Sequence, residues 1–447
     1  MSSTGNDWET IRLGDECEII TKGTTPNHRG FDYQSSGITY VKIESIGEDG
    51  KIVPTKIAYI DETCHRSLKR SQIREGDLLF SIAGALGRRV IADKSLLPAN
   101  TNQAVAIIRL RHNSKLDLHY LFHYVVGPQI RNHIERINVQ SAQANVSLAN
   151  VNEFVIEAPT SQQQRKIARI LTTVDNLIEK TEALIAKYQA IKQGMMHDLF
   201  TRGVDEHGHL RPPYEEAPEL YKQSELGWIP KEWRVATLAD VAESAIDGPF
   251  GSNLKTEHYV SEAGVRVIRL QNIDTGHYDD SDRAFISDSH AELLSRHRVI
   301  PGDVMIAGMG EETHPVARAC LYPADLPPAI NKADCFRVRC KAEQMVNPFL
   351  MLSLNAHYLR PWIERFAQGV TRTRINVRNL KTLPLKAPPL AEQRAFSRRM
   401  FAVAAPVQKL ETEMQKLYLH KTGLMQDLLT GKVRVKVDEA EEVAAHA

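Results

Sequence analysis

Cysteine is scarce. Cys17, Cys64, Cys320, Cys335 and Cys340 are the whole complement among 447 residues. Five is an odd number, the positions are scattered, and no CxxC pair occurs. That excludes a disulfide mini-scaffold and makes a reducing cytoplasm the expected compartment. Long apolar runs are missing as well. None approaches about 18 residues, so no membrane span is expected. The stretch from Met1 to Thr10 is polar, so no signal peptide is expected. Charge of one sign is lacking too: 56 Lys and Arg against 55 Asp and Glu leave +1. A uniformly basic coat for nucleic acid is excluded, although a local basic face is not.

The sequence also lacks the motifs that carry catalysis. There is no GxxxxGK[ST], no GxGxxG and no HExxH. No NPP[FY] motif of an amino-methyltransferase and no PD…ExK nuclease pattern is present. Asp247-Gly248-Pro249-Phe250 and Asn347-Pro348-Phe349 lack the Pro-Pro pair and read as turns. Ser, His and Asp occur, but nothing orders them into a triad. His207 and His209 lie two apart in a polar stretch and read as solvated, so no metal site is expected. What remains is a non-catalytic protein of binding and assembly. At 42% hydrophobic and 25% charged it has an ordinary globular composition.

What is present is a duplication. Trp8, Leu13, Asp15 and Gly23 recur in order as Trp233, Leu238, Asp240 and Gly248. YVKIESI from Tyr40 aligns with VIRLQNI from Val267. IREGDLLFSIAG from Ile73 aligns with VIPGDVMIAGMG from Val299, and PANTNQAVAIIRL from Pro98 with PAINKADCFRVRC from Pro328. Further on the match keeps one register. Gln164-Arg165 returns as Gln393-Arg394, Lys180 as Lys409, Gly194 as Gly423, and Asp198-Leu199 as Asp427-Leu428, each 229 residues later. The repeat is far too long for a solenoid unit. It is a duplicated domain with a duplicated tail.

Each half reads as α+β. ITYVKIESI, VRVIRLQNI, AVAIIRL and CFRVRC are strand-like, and the Gly-Asp of REGDLLFSI and IPGDVMIAG reads as a turn feeding a strand. Cys335 and Cys340, on one strand, point to opposite faces and read as packing residues. LDLHYLFHYVVGPQIRNHIERI and PFLMLSLNAHYLRPWIERF carry helical spacing.

The tails read as long helices. Gln163 to Phe200 contains no proline, and such a helix would be about 57 Å long. Ile167, Leu171, Val174, Ile178, Thr181, Ile185, Tyr188, Lys192, Met195 and Leu199 alternate four- and three-residue steps, the seam of a coiled coil. The second copy gives Phe396, Met400, Val403, Val407, Leu410, Met414, Leu417, Lys421, Leu424 and Leu428 at matching positions. The two seams are expected to pack on each other as an antiparallel coiled coil with a pseudo-twofold axis, separating the two domains. Pro406 is expected to kink or split the second helix. The acidic, proline-bearing stretch from Asp205 to Trp233 reads as an extended linker. The expected organisation is therefore 1–160, first α+β domain; 161–203, long helix; 204–232, linker; 233–389, second α+β domain; 390–431, long helix; 432–447, tail.

Two similar but diverged domains on a spacer suit a split, asymmetric target. On DNA, half-sites one turn apart lie about 34–36 Å centre to centre, within reach of such a spacer. Arg, Asn and Gln on groove-facing loops would supply base readout. The candidates are Lys22, Thr24 and Thr25 in TKGTTPNHRG, Arg88 and Arg89 after SIAGALG, and Gln143 in QSAQAN. In the second half they are Ser252, Asn253 and Lys255 in DGPFGSNLK, with Arg372 and Arg374 in QGVTRTRIN. Neither half is basic overall: residues 1–160 hold 18 basic and 18 acidic side chains, and residues 233–389 hold 19 and 18. A partner is expected to supply part of the affinity.

These residues carry a resemblance. Trp8, Leu13-Gly14-Asp15, Gly76-Asp77, Gly302-Asp303, SELGWIPKEW before the second half, and Pro388-Pro389-Leu390-Ala391-Glu392-Gln393-Arg394 resemble a type I restriction–modification specificity subunit over roughly 8–431. The first copy departs at Pro159-Thr160-Ser161-Gln162-Gln163-Gln164-Arg165. The resemblance implies two target recognition domains, each reading one part of a bipartite site on double-stranded DNA. It implies helices that set the gap and dock two modification (methyltransferase) subunits, with two restriction (translocase/nuclease) subunits completing the complex. S-adenosylmethionine, ATP and Mg would belong to those partners, and no cofactor would be bound by this chain. Two other readings are a protein-only scaffold built on the heptad helices, and an enzyme with unrecognised motifs.

Overall fold

A computed structural model describes residues 8–138, 145–261 and 264–437. The chain divides into two compact units, residues 1–183 with 411–447, and residues 184–410. The division falls inside both long helices, Ser161–Thr201 and Leu390–Leu428. Each unit therefore takes the first part of one long helix and the last part of the other.

In the first unit a four-stranded antiparallel sheet runs Cys17–Lys22, Val105–Leu110, Leu78–Ser81, Arg89–Ile91. A second sheet runs Ala58–Ile60, Ile38–Val41, Ala99–Thr101, Gln72–Ile73, with its central pair parallel. Glu9–Arg12 pairs with Val155–Ala158. The other unit repeats this order: Ala242–Ile246, Cys335–Cys340, Val304–Ala307, Ala319–Leu321 form its four-stranded sheet. Val265–Ile268 runs parallel to Ala329–Asn331, and Arg234–Thr237 pairs with Pro384–Ala387. Apolar side chains on both faces of the Leu78–Ser81 and Val304–Ala307 strands make these the centre of their domains. Cys335 is buried among Ile268, Met305 and Cys320, while Cys340 packs against the other core, as alternation requires.

The glycine shared by the two copies has a steric cause. A Cβ on Gly23 would lie 1.8 Å from the Thr101 carbonyl oxygen, and one on Gly248 would lie 2.0 Å from the Lys332 carbonyl carbon. The chain leaving the first strand must slide directly over the parallel pair, and only glycine leaves room.

The long helices are antiparallel within each unit. In the first, Ile167 and Leu171 share a core with Leu428 and Leu429, Asp175 meets Lys421 at 2.6 Å, and the Tyr418 hydroxyl donates to Glu182 at 2.5 Å. In the second, Phe200 meets Phe396 edge-on with centroids 4.6 Å apart and also meets Phe349 and Tyr358. The incoming helix end is held through its last carbonyls. Gln129 donates to the Leu429 carbonyl at 2.7 Å, and Lys386 donates to that of Phe200 at 2.8 Å. A cation at a helix C-terminus also answers the helix dipole.

Each start is held by a glutamine. Gln164 Nε2 donates to the carbonyls of Lys115 and Pro159, and its Oε1 accepts from the Asp117 N–H. Gln393 repeats all three bonds with Gln344, Pro388 and Val346. The copies differ one residue earlier. Buried Glu392 accepts from Trp233 Nε1, the Val204 N–H and Arg211, whereas Gln163 makes only a local contact with Thr160.

Two expectations are corrected. The second helix is not split at Pro406; it continues as one α-helix from Leu390 to Leu428. Proline deletes one donor, toward the Ala402 carbonyl, yet the helix runs on through it with Val407 buried beside it. The stretch 204–232 is not simply extended. Tyr221–Ser224 pairs with Gly227–Pro230 as a hairpin, and Tyr214 stacks on Trp228 with centroids 4.3 Å apart. No helix among the described residues is long and apolar enough to cross a membrane.

Candidate nucleic-acid interface

Each four-stranded sheet is pinned at the end opposite the loop that follows its first strand. Asp77 is buried and takes Arg109 in a two-point ion pair, Nε to Oδ1 and Nη2 to Oδ2, each 2.7 Å. It also accepts the Arg74 N–H at 2.7 Å. Asp303 does the same with Arg339, at 2.6 and 2.9 Å, and accepts the Ile300 N–H. The Gly-Asp pair in the sequence is thus a turn whose carboxylate clamps the neighbouring strand.

In the first unit Lys22 ends its strand half-buried, and Thr24 and Thr25 follow. The Tyr40 hydroxyl donates to the Thr24 carbonyl at 2.9 Å, Arg70 donates to Thr24 Oγ1 at 3.3 Å, and Thr25 Oγ1 bonds Gln103. The loop is fixed and places exposed Arg70 beside it. Gln143 lies outside the described residues.

Arg88 and Arg89 do not join this loop. Arg88 Nη1 donates to the carbonyls of Ile43 and Ile46, bracing the turn after the parallel strand. Arg318 holds the equivalent carbonyls of Leu270 and Ile273 in the other unit, so this arginine is architectural in both. Arg89 is buried: its guanidinium lies 4.3 Å from the Phe122 ring centroid, and its Nε donates to the Phe122 carbonyl. Burial lowers its pKa to about 10.

In the second unit the structure brings two predicted segments together. Ser252, Asn253 and Lys255 are exposed on the loop after Asp247. The hairpin carrying Arg372 and Arg374 folds against it. Arg374 Nε donates to Asp334 at 2.8 Å, and its guanidinium lies 5.8 Å from the Phe250 ring centroid. The Asp334 N–H in turn donates to Asp247 Oδ1, whose burial raises the Asp247 pKa to about 6. Arg374 is therefore a positioning group. Arg372 is exposed at the hairpin and lines a cavity of about 560 Å³ with Gln271, Asp274 and Glu311.

Sequence reasoning passed over Arg70 and its counterpart Arg296. Both precede the Gly-Asp turn at the same place in KRSQIREGD and SRHRVIPGD, and both are exposed. That coincidence was the available signal. It also passed over His258 and His290, whose rings lie 4.0 Å apart beside Asn253.

The predicted helix positions face inward. Ile167, Leu171, Ile178, Ile185, Phe396, Met400 and Val407 are buried, and Val174, Tyr188, Val403, Leu410, Met414 and Leu417 are half-buried. The apolar side chains left exposed on these helices lie off the seam, at Leu177, Leu184, Ile191, Phe401 and Leu419. Among the described residues, no group of three or more His, Cys, Asp and Glu side chains could hold a metal ion. His207 and His209 are exposed beside Glu206 and Asp205.

Residues 5–189 match the family model of the type I restriction modification DNA specificity domain. The chain is 26% identical to the putative type I restriction enzyme MjaX specificity subunit of Methanocaldococcus jannaschii, over 96% of this chain and 94% of that one. It is 24% identical to the MjaVIII specificity subunit of the same organism, with the same coverage. Among solved structures, the type I restriction–modification S subunit from M. genitalium superposes with a TM-score of 0.59 at 13% identity, covering 96% of this chain and 97% of that one. A chain from a type I R-M system studied for complex assembly and conformational transition gives 0.51 at 19% identity, covering 94% and 97%.

Proposed function

We propose that this chain is a type I restriction–modification specificity subunit, each of whose units reads one part of a bipartite DNA site. The observation that carries this reading is a conserved frame with divergent loops. The Asp77–Arg109 and Asp303–Arg339 clamps and the Gln164 and Gln393 staples coincide bond for bond. The loops at the other end of each sheet, Lys22-Gly23-Thr24-Thr25 and Gly248-Pro249-Phe250-Gly251-Ser252-Asn253, share little beyond the glycine. Two copies of one scaffold with different reading edges suit two different half-sites. Arg70, Arg296 and Arg372 supply local positive charge on a nearly neutral chain, while Arg374 orients its hairpin.

In this reading the long helices set the gap between the half-sites and dock two adenine-methylating modification subunits. Two restriction subunits complete the complex. S-adenosylmethionine, ATP and Mg belong to those partners, and the target adenines are flipped into the partners' pockets. The complex would then be an adenine-DNA methyltransferase and ATP-dependent endonuclease, with this chain as its non-catalytic reader, working in the cytoplasm.

Gel-shift titration of the chain alone, and of the chain co-purified with its modification subunit, tests this reading. The co-purified complex should prefer one DNA sequence over random competitor, and the chain alone should bind weakly. A complex without sequence preference points to a scaffold; DNA cleavage or methylation by the chain alone points to an enzyme.

A further inference from the structure

We propose that the first unit carries a pocket for a phosphate ester of mononucleotide size, set between the Ala85–Arg89 loop and the last turns of the second long helix. The cavity measures about 530 Å³, within the range of small-ligand sites. Arg88, Arg89, Arg131 and Lys421 line it against two carboxylates, Glu48 and Glu135. Lys421 is paired with Asp175, and Arg88 lies 3.7 Å from Glu48, so Arg89 and Arg131 stand against Glu135 and leave one positive charge in excess.

Arg89 is the decisive group. It is 3% exposed, held by Phe122 through its Nε and ring face, and its Nη2 has no acceptor among the described residues. Arg88 Nε is buried and equally without an acceptor. Arg89 lines the cavity with an unpartnered guanidinium nitrogen, and guanidinium groups match phosphate geometry. Val125, Val126 and Met425 give the same cavity an apolar side for the organic part of the ligand.

The fold itself does not need this arginine. Arg89 stands opposite Phe80 in its sheet; in the second unit Ala319 stands opposite Ile306 at the same place. The polar layer behind it is likewise confined to the first copy. His123, Thr172 and Asp175 are replaced by Leu352, Phe401 and Ala404 at the 229-residue offset. The second copy builds the same sheet and helix contact from apolar groups, so the buried charge in the first has another use.

Calorimetric titration of the full chain with AMP, and with inorganic phosphate at constant ionic strength, tests the pocket. Saturable AMP binding is expected, weakened ~10-fold in Arg89→Gln through loss of a charge-assisted pair. Arg131→Ala, on the exposed rim, should weaken AMP binding several-fold while leaving the ligand-free Tm unchanged, so the test stands even if Arg89→Gln does not fold. A short duplex DNA added as competitor separates the two sources of phosphate. Displacement of AMP assigns the pocket to a backbone phosphate, and its retention assigns it to a free ester; both keep the phosphate site. Absence of saturable binding, or equal affinity in wild type and Arg131→Ala, overturns the proposal.

Discussion

Asp77 and Arg109 form a two-point ion pair with the carboxylate fully buried, and Asp303 and Arg339 repeat it. The carboxylate closes its own turn and ties it to the next strand, so its removal leaves Arg109 without a partner in a largely buried place. Asp77→Ala should lower stability by about 3–5 kcal/mol, the usual cost of breaking such a pair from one side. Asp303→Ala should cost less, because Arg339 is more exposed than Arg109. Denaturant titration of each variant checks the ranking; equal and negligible losses would remove the clamp as the reason for the Gly-Asp motif.

His123 introduces acid sensitivity in the first unit. It is buried, donates to or accepts from Thr172 Oγ1 at 3.0 Å, and burial, helped by the charges of Arg89 and Lys421, lowers its pKa to about 3. In the unfolded chain it titrates near 6.5. Between these values the unfolded state binds the extra proton, so this residue's contribution to stability falls as pH drops from about 6.5 toward 3. His123→Leu, which copies Leu352, should flatten that limb of a Tm–pH profile. An unchanged slope would place the acid sensitivity elsewhere.

The two hairpin arginines should separate by phenotype. Arg374 is tied to Asp334 and Phe250, so Arg374→Ala should lower Tm and disturb the loop around Asn253. Arg372 is exposed at the hairpin, so Arg372→Ala should leave Tm unchanged. It should weaken DNA binding by the co-purified complex ~10-fold, within the 1–3 kcal/mol expected of a lost base contact. Equal DNA affinity in Arg372→Ala and wild type would remove that hairpin from the interface.

If the long helices set the gap, deleting one heptad from each at matched positions, 181–187 and 410–416, should shorten the span by about 10 Å. The preferred gap should then shrink by about three base pairs, at 3.4 Å per pair. A gap that stays constant, in a complex that still binds DNA, would end the ruler reading.

Much of this architecture was legible because duplication checks itself. Gln164 and Gln393 stand out by register alone, and the structure gives them identical bonds. The seam was readable from spacing because burial follows it. What was not legible is which way a polar side chain turns. Arg88 and Arg89 look like loop cations in GALGRR, yet one braces backbone carbonyls and the other is buried beneath Phe122, since a long aliphatic stem lets a guanidinium reach inward. Pro406 suggested a split that the continuous helix does not show, and the prolines of 204–232 concealed the hairpin paired through Lys222 and Ile229.

The central claim is that the two units read the two parts of one DNA site. Its most direct test is to express the chain with its modification subunit in a host free of adenine methylation, and to map methyladenine across the genome by long-read sequencing. The account predicts a single split motif, with a fixed gap and one modified adenine on each strand. Random or absent methylation, with both proteins associated and folded, would contradict it.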